Sequence, residues 1–504
     1  MASPAVAART SRTSAAPSGE GESSRARRGI PPWALALAVA VPLALAYLIV
    51  QPPAGDLAAA IYRSDLFARV GFALRDNGWY AAHGHYLPGY SLLSPELGAW
   101  LGVYTVLALS AVAASALFGL IAERVFSPAG ARVAAGWFAL GFGVGLLSGR
   151  VPYDLGFAIG LASVLALLSE RLALALGLAV LTSLASPVAG AFLALAGVAD
   201  ALVGGWERRG GGRGTRAGGE GPGGRARDPH DPRSPWLGAE RGIALALAAL
   251  VPIAVLALAF PEGGWEPFAP SAFWPALAGV LLIALLLPQG SLTPRERLIV
   301  RMGAVLYALA LIGSFALHTP VGGNSARLGA LLAGPLLAGA LWERHRLILC
   351  LLVPLLLYWQ IETPINDEAE LAGDPSVHAS YYAPLRAELR TLTGGRRTIV
   401  EVPMTGAHAE AAYLAGHDGV ALARGWERQL DTRYAHLFYV PGLTASAYAA
   451  WLRSNRVAYV ALPDVRLDEA GRAEGALIAR GLPYLHELWH SAHWRLYSFA
   501  PASR

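Results

Sequence analysis

Long apolar runs separated by short polar segments dominate the chain between residues 31 and 361. A helix spans a bilayer with about 20 mostly apolar residues, and about 17 suffice when it tilts or ends in snorkelling side chains. By this measure the pattern predicts eleven membrane-spanning helices. Their ranges are 31–50, 97–121, 132–148, 153–168, 172–185, 188–203, 243–260, 273–287, 299–317, 328–341 and 347–361. The expected fold is therefore that of a polytopic α-helical membrane protein.

The division between the fifth and sixth runs depends on Ser186 and Pro187. A single helix over residues 172–203 would be about 48 Å long at 1.5 Å per residue. The hydrocarbon core of a bilayer is only about 30 Å thick. Proline also lacks the N–H group that continues a helix, and its ring clashes with the preceding turn. The sequence thus predicts two shorter helices that meet at a corner.

The charged residues support this topology. Only 15% of residues are charged, whereas a soluble protein has roughly a quarter, and every one of the 40 basic residues is arginine. With the N-terminus inside, 21 arginines fall on predicted cytoplasmic segments and five on the opposite loops. This asymmetry follows the positive-inside rule and predicts an outside C-terminus. The net charge of +5 is then a topology signal, and no nucleic-acid partner is expected.

Four segments outside the apolar runs complete the predicted organisation. Residues 1–30 form a polar cytoplasmic arm, and the Gly/Arg-rich residues 204–240 form a disordered cytoplasmic loop. Residues 51–96 form the first outer loop. Residues 362–504 alternate helical runs with strand-like runs at 397–403, 457–463 and 494–499, which is typical of a small α/β domain. The odd number of spans places this extracytoplasmic domain on the same side as the first outer loop.

The first outer loop carries most of the polar chemistry. Asp56 follows the first apolar run closely, and residues 56–74 have the spacing of an amphipathic helix that lies flat at the headgroup layer. An aromatic and histidine-rich stretch then leads to the second run. This layout, together with the stretches DLAAAIYRSDLF, WYAAHGHYLPGYSLLSPELG and RGWERQLD, resembles the GT-C superfamily of polytopic glycosyltransferases, and is similar to actinobacterial integral membrane proteins of that type.

The resemblance implies an enzyme of the bacterial plasma membrane that transfers a sugar from a polyprenyl-phosphate donor to a cell-envelope glycan or glycoprotein. It implies Asp56 as the base that takes the proton of the acceptor hydroxyl, with Asp65 and Asp76 as alternatives. GT-C proteins often carry two adjacent acids, whereas Leu57 follows Asp56 here. The competing interpretation is that Asp56 only caps the amphipathic helix.

Binding of the donor phosphate requires cations or N–H groups directed at its charge. Basic and polar residues of the outer loops and span ends are the candidates for this role: Arg63, His83, His85, Tyr90, Arg150, Asn324 and Arg327. Charges at membrane depth are usually functional or paired. Arg150 therefore binds phosphate or simply pairs with Asp154, while Arg327 has no acid nearby in sequence.

The remaining candidates concern the acceptor and a metal. Trp426 and Arg428 are acceptor-side candidates, and the alternative is an ion-pair network around an aromatic anchor within the domain. No cofactor is implied by a motif. A divalent metal held by His83 and His85 would need further loop ligands, because residues two apart do not share a helix face.

Two other function classes stay open at the level of sequence. A transporter or flippase of an envelope precursor is favoured by the broken helix pair at Pro187, since interrupted helices often surround a substrate site. A non-catalytic envelope assembly protein would use the outer domain to hold partners. The clustering of polar residues at one surface favours the transferase.

Overall fold

The structure is a computed structural model that describes residues 29–81, 87–88, 91–211, 235–260 and 264–500. One apolar helix lies at each predicted run, and two further helices lie near the first outer loop. In chain order they are α1 (Pro32–Val50), α2 (Leu57–Val70), α3 (Ser94–Leu101), α4 (Val103–Val125), α5 (Pro128–Gly145), α6 (Val151–Leu168), α7 (Leu172–Ala185), α8 (Pro187–Gly211), α9 (Pro235–Ala259), α10 (Pro270–Leu286), α11 (Pro294–Ala316), α12 (Arg327–Leu341) and α13 (Arg346–Leu371).

These helices indicate a multi-pass membrane protein. In the described part of the chain, eight of them have the length and apolarity that a crossing requires. The helices α7, α10 and α12 are apolar but shorter, at 14, 17 and 15 residues. Eleven crossings and an outside C-terminus therefore remain predictions. Beyond the predicted ranges, α8 and α9 extend helical structure into residues 204–211 and 235–240 of the expected disordered loop.

Small residues let the helices approach one another closely. A Cβ atom on Gly119 of α4 would lie 2.5 Å from the Cα atom of Trp33 in α1. A Cβ atom on Gly242 of α9 would lie 2.6 Å from the carbonyl oxygen of Gly197 in α8. Close backbone contact of this kind is how helices associate in lipid, where apolar burial alone gives little advantage.

The predicted corner between α7 and α8 is present. The helix α7 ends at Ala185, Ser186 is extended with φ −153°, and α8 begins at Pro187. The hydroxyl of Thr182 donates to the carbonyl oxygen of Leu178 at 2.8 Å. The hydroxyl of Ser183 donates to that of Ala249 at 2.6 Å. The two hydroxyl protons are therefore donated to backbone carbonyls, one in α7 and one in α9.

The C-terminal domain is built on a mixed five-stranded sheet. In chain order its elements are α14 (Ala379–Thr393), β3 (Thr398–Glu401), α15 (Glu410–Tyr413), β4 (Val420–Leu422), α16 (Ala435–Phe438), α17 (Ala445–Ser454), β5 (Tyr459–Pro463), α18 (Glu469–Ala479), β6 (Leu485–His490) and β7 (Trp494–Phe499). The strand order is β4-β3-β5-β7-β6, with β3 parallel to both neighbours and β7 antiparallel to both. The preceding α13 continues to Leu371, past the predicted boundary at residue 361.

The first outer loop is built into this domain. Its short antiparallel pair, β1 (Arg75–Asp76) and β2 (Leu87–Pro88), follows α2. The carbonyl oxygen of Gly78 accepts a 2.8 Å hydrogen bond from the N–H of Leu422, and the hydroxyl of Tyr80 donates to the carbonyl oxygen of Glu427 at 2.7 Å. The loop and the domain therefore lie on the same side of the helix bundle, which is the spatial relation that the predicted span parity requires.

The helix α2 lies between two apolar cores. Leu57 and Ala60 pack into the core of the membrane helices. Tyr62 and Leu66 pack into the core of the C-terminal domain. Its apolar side chains are thus divided between two protein surfaces, whereas an amphipathic helix lying flat on lipid would turn a single apolar face towards the bilayer.

Candidate functional site

Asp56 stands at the start of α2 without acting as its cap. Its backbone has helical dihedral angles, and its side chain makes no capping hydrogen bond. The carboxylate turns instead towards two arginines from other helices. Its Oδ2 atom lies 3.4 Å from Nε of Arg150 and 3.4 Å from a terminal nitrogen of Arg327. The geometry thus disfavours the capping interpretation and assembles a charged cluster.

Arg150 reaches this cluster because of the turn between α5 and α6. Gly149 there has φ +68°, and a Cβ atom on it would lie 2.7 Å from the Cβ atom of Ala54. Only glycine tolerates both the left-handed conformation and this close approach. The turn therefore presses the start of α6 against the segment that carries Asp56.

A second carboxylate holds Arg150 from the other side. Asp367, near the end of α13, lies 3.7 Å from a terminal nitrogen of Arg150. The hydroxyl of Ser148 donates a 2.8 Å hydrogen bond to Asp367. The predicted partner Asp154 is buried one turn into α6, and the ion pairs of Arg150 are made with Asp56 and Asp367. Asp367 was missed at the sequence level, although it lies shortly after the last apolar run, which ends at residue 361.

Arg327 is the first residue of α12 and follows a short 3-10 turn over Gly322–Ala326, which contains Asn324. Its guanidinium carbon lies 5.5 Å from the ring centroid of Tyr153, a cation–π contact. This ring fixes Arg327 by a contact that does not involve Asp56. Arg327 has no acid nearby in sequence, and its ion-pair partner is Asp56, 271 residues away.

A cavity of about 340 Å³ opens beside the cluster between α5, α6, α10, α12 and α13. One part of its wall is charged or polar, with Arg150, Asp154, Glu266, Asn324 and Arg327. Another part is apolar and aromatic, with Phe142, Ala330, Leu331, Tyr358 and Trp359. Such a wall suits an amphiphilic ligand that has an anionic head and a hydrocarbon tail.

Glu266 enters the cavity wall from the loop between α9 and α10. Its N–H donates to the carbonyl oxygen of Thr319 at 2.9 Å. A Cβ atom on Gly322 would lie 2.1 Å from its carbonyl oxygen. Burial, reinforced by the negative charge of Asp56, raises the pKa of Glu266 to about 7. This residue was also missed, because an isolated acid in a short loop carries no sequence pattern.

A histidine of the C-terminal domain, His408, lies next to Gly55, the residue before Asp56. His408, with φ +53°, stacks on Trp426 at 4.6 Å between ring centroids. Its Nε2 atom lies 3.2 Å from Asp468, and its Nδ1 atom lies 3.7 Å from the position of a Cβ on Gly55. Burial lowers the pKa of His408, but the hydrogen bond and charge of Asp468 outweigh it and raise the pKa above its ordinary value.

Arg428 joins the domain to the loop that holds Glu266. Its guanidinium carbon lies 4.8 Å from the ring centroid of Trp265 and 4.6 Å from that of Tyr439. The same loop touches the domain at Gly264, where a Cβ atom would lie 1.9 Å from the carbonyl oxygen of Gln429. The acceptor-side candidates Trp426 and Arg428 therefore both lie at the seam between the domain and the helix bundle.

The rest of the RGWERQLD stretch forms the ion-pair network that was the alternative interpretation. Arg424 is fully buried and lies 3.1 Å from Glu401, 2.7 Å from Glu474 and 3.9 Å from Asp431. Burial and the charge of Glu474 raise the pKa of Glu401 well above its usual range, because one arginine cannot balance three carboxylates.

The alternative acids of the first loop have local partners. Asp65 pairs with Arg69 at 3.0 Å and with His417 at 3.3 Å. Asp76 accepts hydrogen bonds from the hydroxyl of Tyr62 and from the N–H of Gly78. These contacts tie the loop to itself and to the domain.

The remaining candidates for phosphate and metal binding are Arg63, His83, His85 and Tyr90. Arg63 lines a small crevice beside Phe67 and Ser91. His83, His85 and Tyr90 lie outside the residues whose side chains the structure describes. Within the described ranges, no three His, Cys, Asp or Glu side chains are grouped so that they could hold a metal ion.

Comparisons with known proteins add a likeness in structure. No family model and no curated protein matches the chain. An oligosaccharyltransferase of Archaeoglobus fulgidus tethered to an acceptor peptide is similar at 12% identity and a TM-score of 0.46, over 85% of this chain and 68% of that one. The same archaeal enzyme is similar in its apo form, and in complex with an inhibitory peptide and a dolichol-phosphate, at 13% identity and the same TM-score.

Proposed function

We propose that this protein is a membrane glycosyltransferase that moves a sugar from a polyprenyl-phosphate donor to a cell-envelope acceptor at the outer face of the membrane. The observation that supports it is the placement of one carboxylate and two guanidinium groups beside an amphiphilic cavity. The oxygen of Asp56 lies 3.4 Å from both Arg150 and Arg327, and both arginines line the cavity. A lipid phosphate requires cations next to an apolar wall.

The transfer would proceed in one displacement. The acceptor hydroxyl loses its proton to the carboxylate of Asp56 and forms a bond from its oxygen to the anomeric carbon. The bond between that carbon and the phosphate oxygen breaks, and the electron pair leaves with the phosphate. Arg150 and Arg327 are positioned to stabilise the charge that develops on this leaving group. One general base is sufficient because phosphate leaves readily, and the configuration at the anomeric carbon is inverted.

The seam under the C-terminal domain is the proposed acceptor side. His408, which stacks on Trp426, lies against the segment before Asp56, and Arg428 contacts Trp265 in the loop that carries Glu266. An envelope glycan or glycoprotein would approach Asp56 along this seam. At the α7–α8 corner, the feature that favours the transporter alternative, the hydroxyl protons of Thr182 and Ser183 are donated to backbone carbonyls and are not directed at a substrate.

The proposed sidedness is testable with single cysteines. In a Cys350→Ser background, Arg480→Cys places a thiol on the exposed end of α18, and Arg344→Cys places one on an exposed loop at the predicted cytoplasmic side. A membrane-impermeant maleimide should label intact cells only at position 480. Labelling only at position 344 would place the domain in the cytoplasm and contradict the proposal.

The function itself is testable by comparing lipid extracts of cells with and without the gene. The proposal predicts that a polyprenyl-phosphate-linked sugar accumulates in the deletion strain and that an envelope glycan loses the corresponding sugar. Complementation with the wild-type chain should reverse both changes, and complementation with Asp56→Asn should reverse neither. Normal lipid-linked sugars together with altered uptake would favour a carrier. Normal lipid-linked sugars together with a lost protein complex would favour an assembly protein.

A further inference from the structure

The carboxylate of Asp56 occupies the place that the donor phosphate needs. Both arginines of the cluster approach the same atom, Oδ2 of Asp56, from two different helices. In the proposed function, an oxygen of the donor phosphate would bind at this same point, between the two guanidinium groups. The catalytic carboxylate and the ligand therefore share one pair of cations.

The fit of the carboxylate between the arginines is loose. Charge-assisted hydrogen bonds between N–H and O⁻ usually measure about 2.7–2.9 Å. The two contacts of Asp56 are both 3.4 Å, whereas Arg295 to Asp200 and Arg424 to Glu474 are each 2.7 Å in the same protein. A carboxylate at the end of a short side chain thus reaches the two guanidiniums without filling the space between them. A tetrahedral phosphate offers more oxygen atoms to the same two groups.

The arginines have contacts of their own that do not depend on Asp56. Asp367 contacts Arg150 and is held by the hydroxyl of Ser148. The ring of Tyr153 lies against Arg327. When Asp56 moves away, these contacts keep the two guanidiniums beside the cavity.

We infer that Arg150 and Arg327 form an anion subsite for the phosphate group of the lipid-linked donor, and that in the unliganded protein the carboxylate of Asp56 occupies this subsite. Binding of the phosphate displaces the carboxylate and releases Asp56 to accept a proton. The exchange makes the base available only when a donor is present. This inference rests on the proposed function and adds to it a competition between base and substrate.

The test measures binding of farnesyl phosphate and of inorganic phosphate to the full-length protein in nanodiscs, without any sugar acceptor. Removal of the Asp56 charge should strengthen binding by about tenfold, because the phosphate no longer has to displace a carboxylate from the two arginines. Asp56→Asn and Asp56→Ala are both measured, and thermal unfolding verifies that each is folded. Removal of a base that did not compete with the phosphate would strengthen binding by no more than the general loss of one charge does, less than about threefold.

Asp367→Asn is the matched control, because it removes a carboxylate that contacts the same Arg150 but is anchored to Ser148. It should strengthen binding by less than about threefold, as expected for the general loss of one half-exposed charge. Equal strengthening by Asp56→Asn and Asp367→Asn would overturn the inference, and so would unchanged or weaker binding to both Asp56 variants.

The two ligands separate the inference from the proposed function. Tighter binding of farnesyl phosphate by the Asp56 variants supports both. Binding of inorganic phosphate alone, again tighter in those variants, would support the exchange and contradict a lipid-linked donor. Binding of neither ligand by any variant would overturn both.

Discussion

Two clusters of arginines and carboxylates in this protein differ in burial and in fit. In the C-terminal domain, Arg424, Glu401 and Glu474 have side chains that are at most 1% exposed. Beside the membrane helices, Asp56 is 34% exposed, and its contacts to both arginines are 3.4 Å long. The first cluster is closed on all sides. The second borders a cavity of about 340 Å³.

The difference separates a structural ion network from a site that can exchange partners. Charges that are fully buried must keep their partners, because an unpaired charge in the interior is strongly unfavourable. Partly exposed charges at longer distances contribute little to stability and can be replaced by a ligand at small cost. The comparison therefore predicts that substitutions in the two clusters affect different properties.

The largest effect on stability is expected for Arg424→Met. The change leaves Glu401 and Glu474 buried without the guanidinium that both contact, which should destabilise the domain by about 3–5 kcal/mol. Thermal unfolding of the purified protein measures this. Asp56→Asn is the contrasting variant, and its free energy of unfolding should change by less than about 1 kcal/mol. Equal destabilisation by both substitutions would remove the distinction between the clusters.

The next prediction concerns a substitution that lowers the transfer activity. Arg327→Gln should lower kcat/KM for sugar transfer by about 10²–10³-fold, because it removes a donor aimed at the developing phosphate charge. Arg327→Lys should restore little, since a lysine ammonium does not reproduce the fork of a guanidinium. Arg386→Gln, which removes a domain-surface ion pair with Asp418, is the control and should transfer at the wild-type rate. A wild-type rate for Arg327→Gln would exclude the proposed phosphate contact.

A smaller effect is expected where the first loop enters the domain. Tyr80→Phe removes the hydroxyl that donates to the carbonyl oxygen of Glu427 and leaves this buried oxygen without that hydrogen bond. The cost should be about 1–3 kcal/mol in thermal unfolding. Asn77→Ala removes a more exposed contact with Arg397 and should cost less. The reverse order would indicate that the loop is not docked through Tyr80.

The last effect is a change in the pH dependence of stability. Burial raises the pKa of Glu266 from 4.5 to about 7, so the folded protein binds this proton more tightly than the unfolded chain does. Stability is then lost as the pH rises from 4.5 through 7. Glu266→Gln should therefore match the wild type near pH 4.5 and melt at a higher temperature at pH 8. If the melting temperatures of the wild type and Glu266→Gln differed by the same amount at every pH in this range, the raised pKa of Glu266 would be contradicted.

The helices and the domain class could be predicted from sequence because they depend on local patterns. Each apolar run became a helix, and the corner at Pro187 formed for a local reason, the missing N–H group. The runs 397–403, 457–463 and 494–499 contain β3, β5 and β7. The short strand β4 and the strand β6 had no comparable alternation, because β4 is buried throughout and β6 is largely exposed.

The site could be predicted only in part. Asp56, Arg150 and Arg327 were identifiable as charges at the ends of apolar runs, where charge is costly without a partner. Their pairing could not be predicted, because Asp56 and Arg327 are 271 residues apart in sequence. Asp367, Glu266 and His408 lie in segments without a distinctive spacing, and only the folded chain brings them near Asp56. Long-range packing, which no periodicity encodes, accounts for the difference.

The central claim is that Asp56 is the base of a transferase, and one assay tests it directly. Lipid-linked sugars extracted from the deletion strain serve as donors for the purified protein in nanodiscs, with the deletion-strain envelope as acceptor. The account predicts that the wild type releases polyprenyl phosphate and glycosylates the envelope. It predicts that Asp56→Asn is slower by about 10²–10⁴-fold although it still binds farnesyl phosphate. Transfer by Asp56→Asn at the wild-type rate would contradict the account.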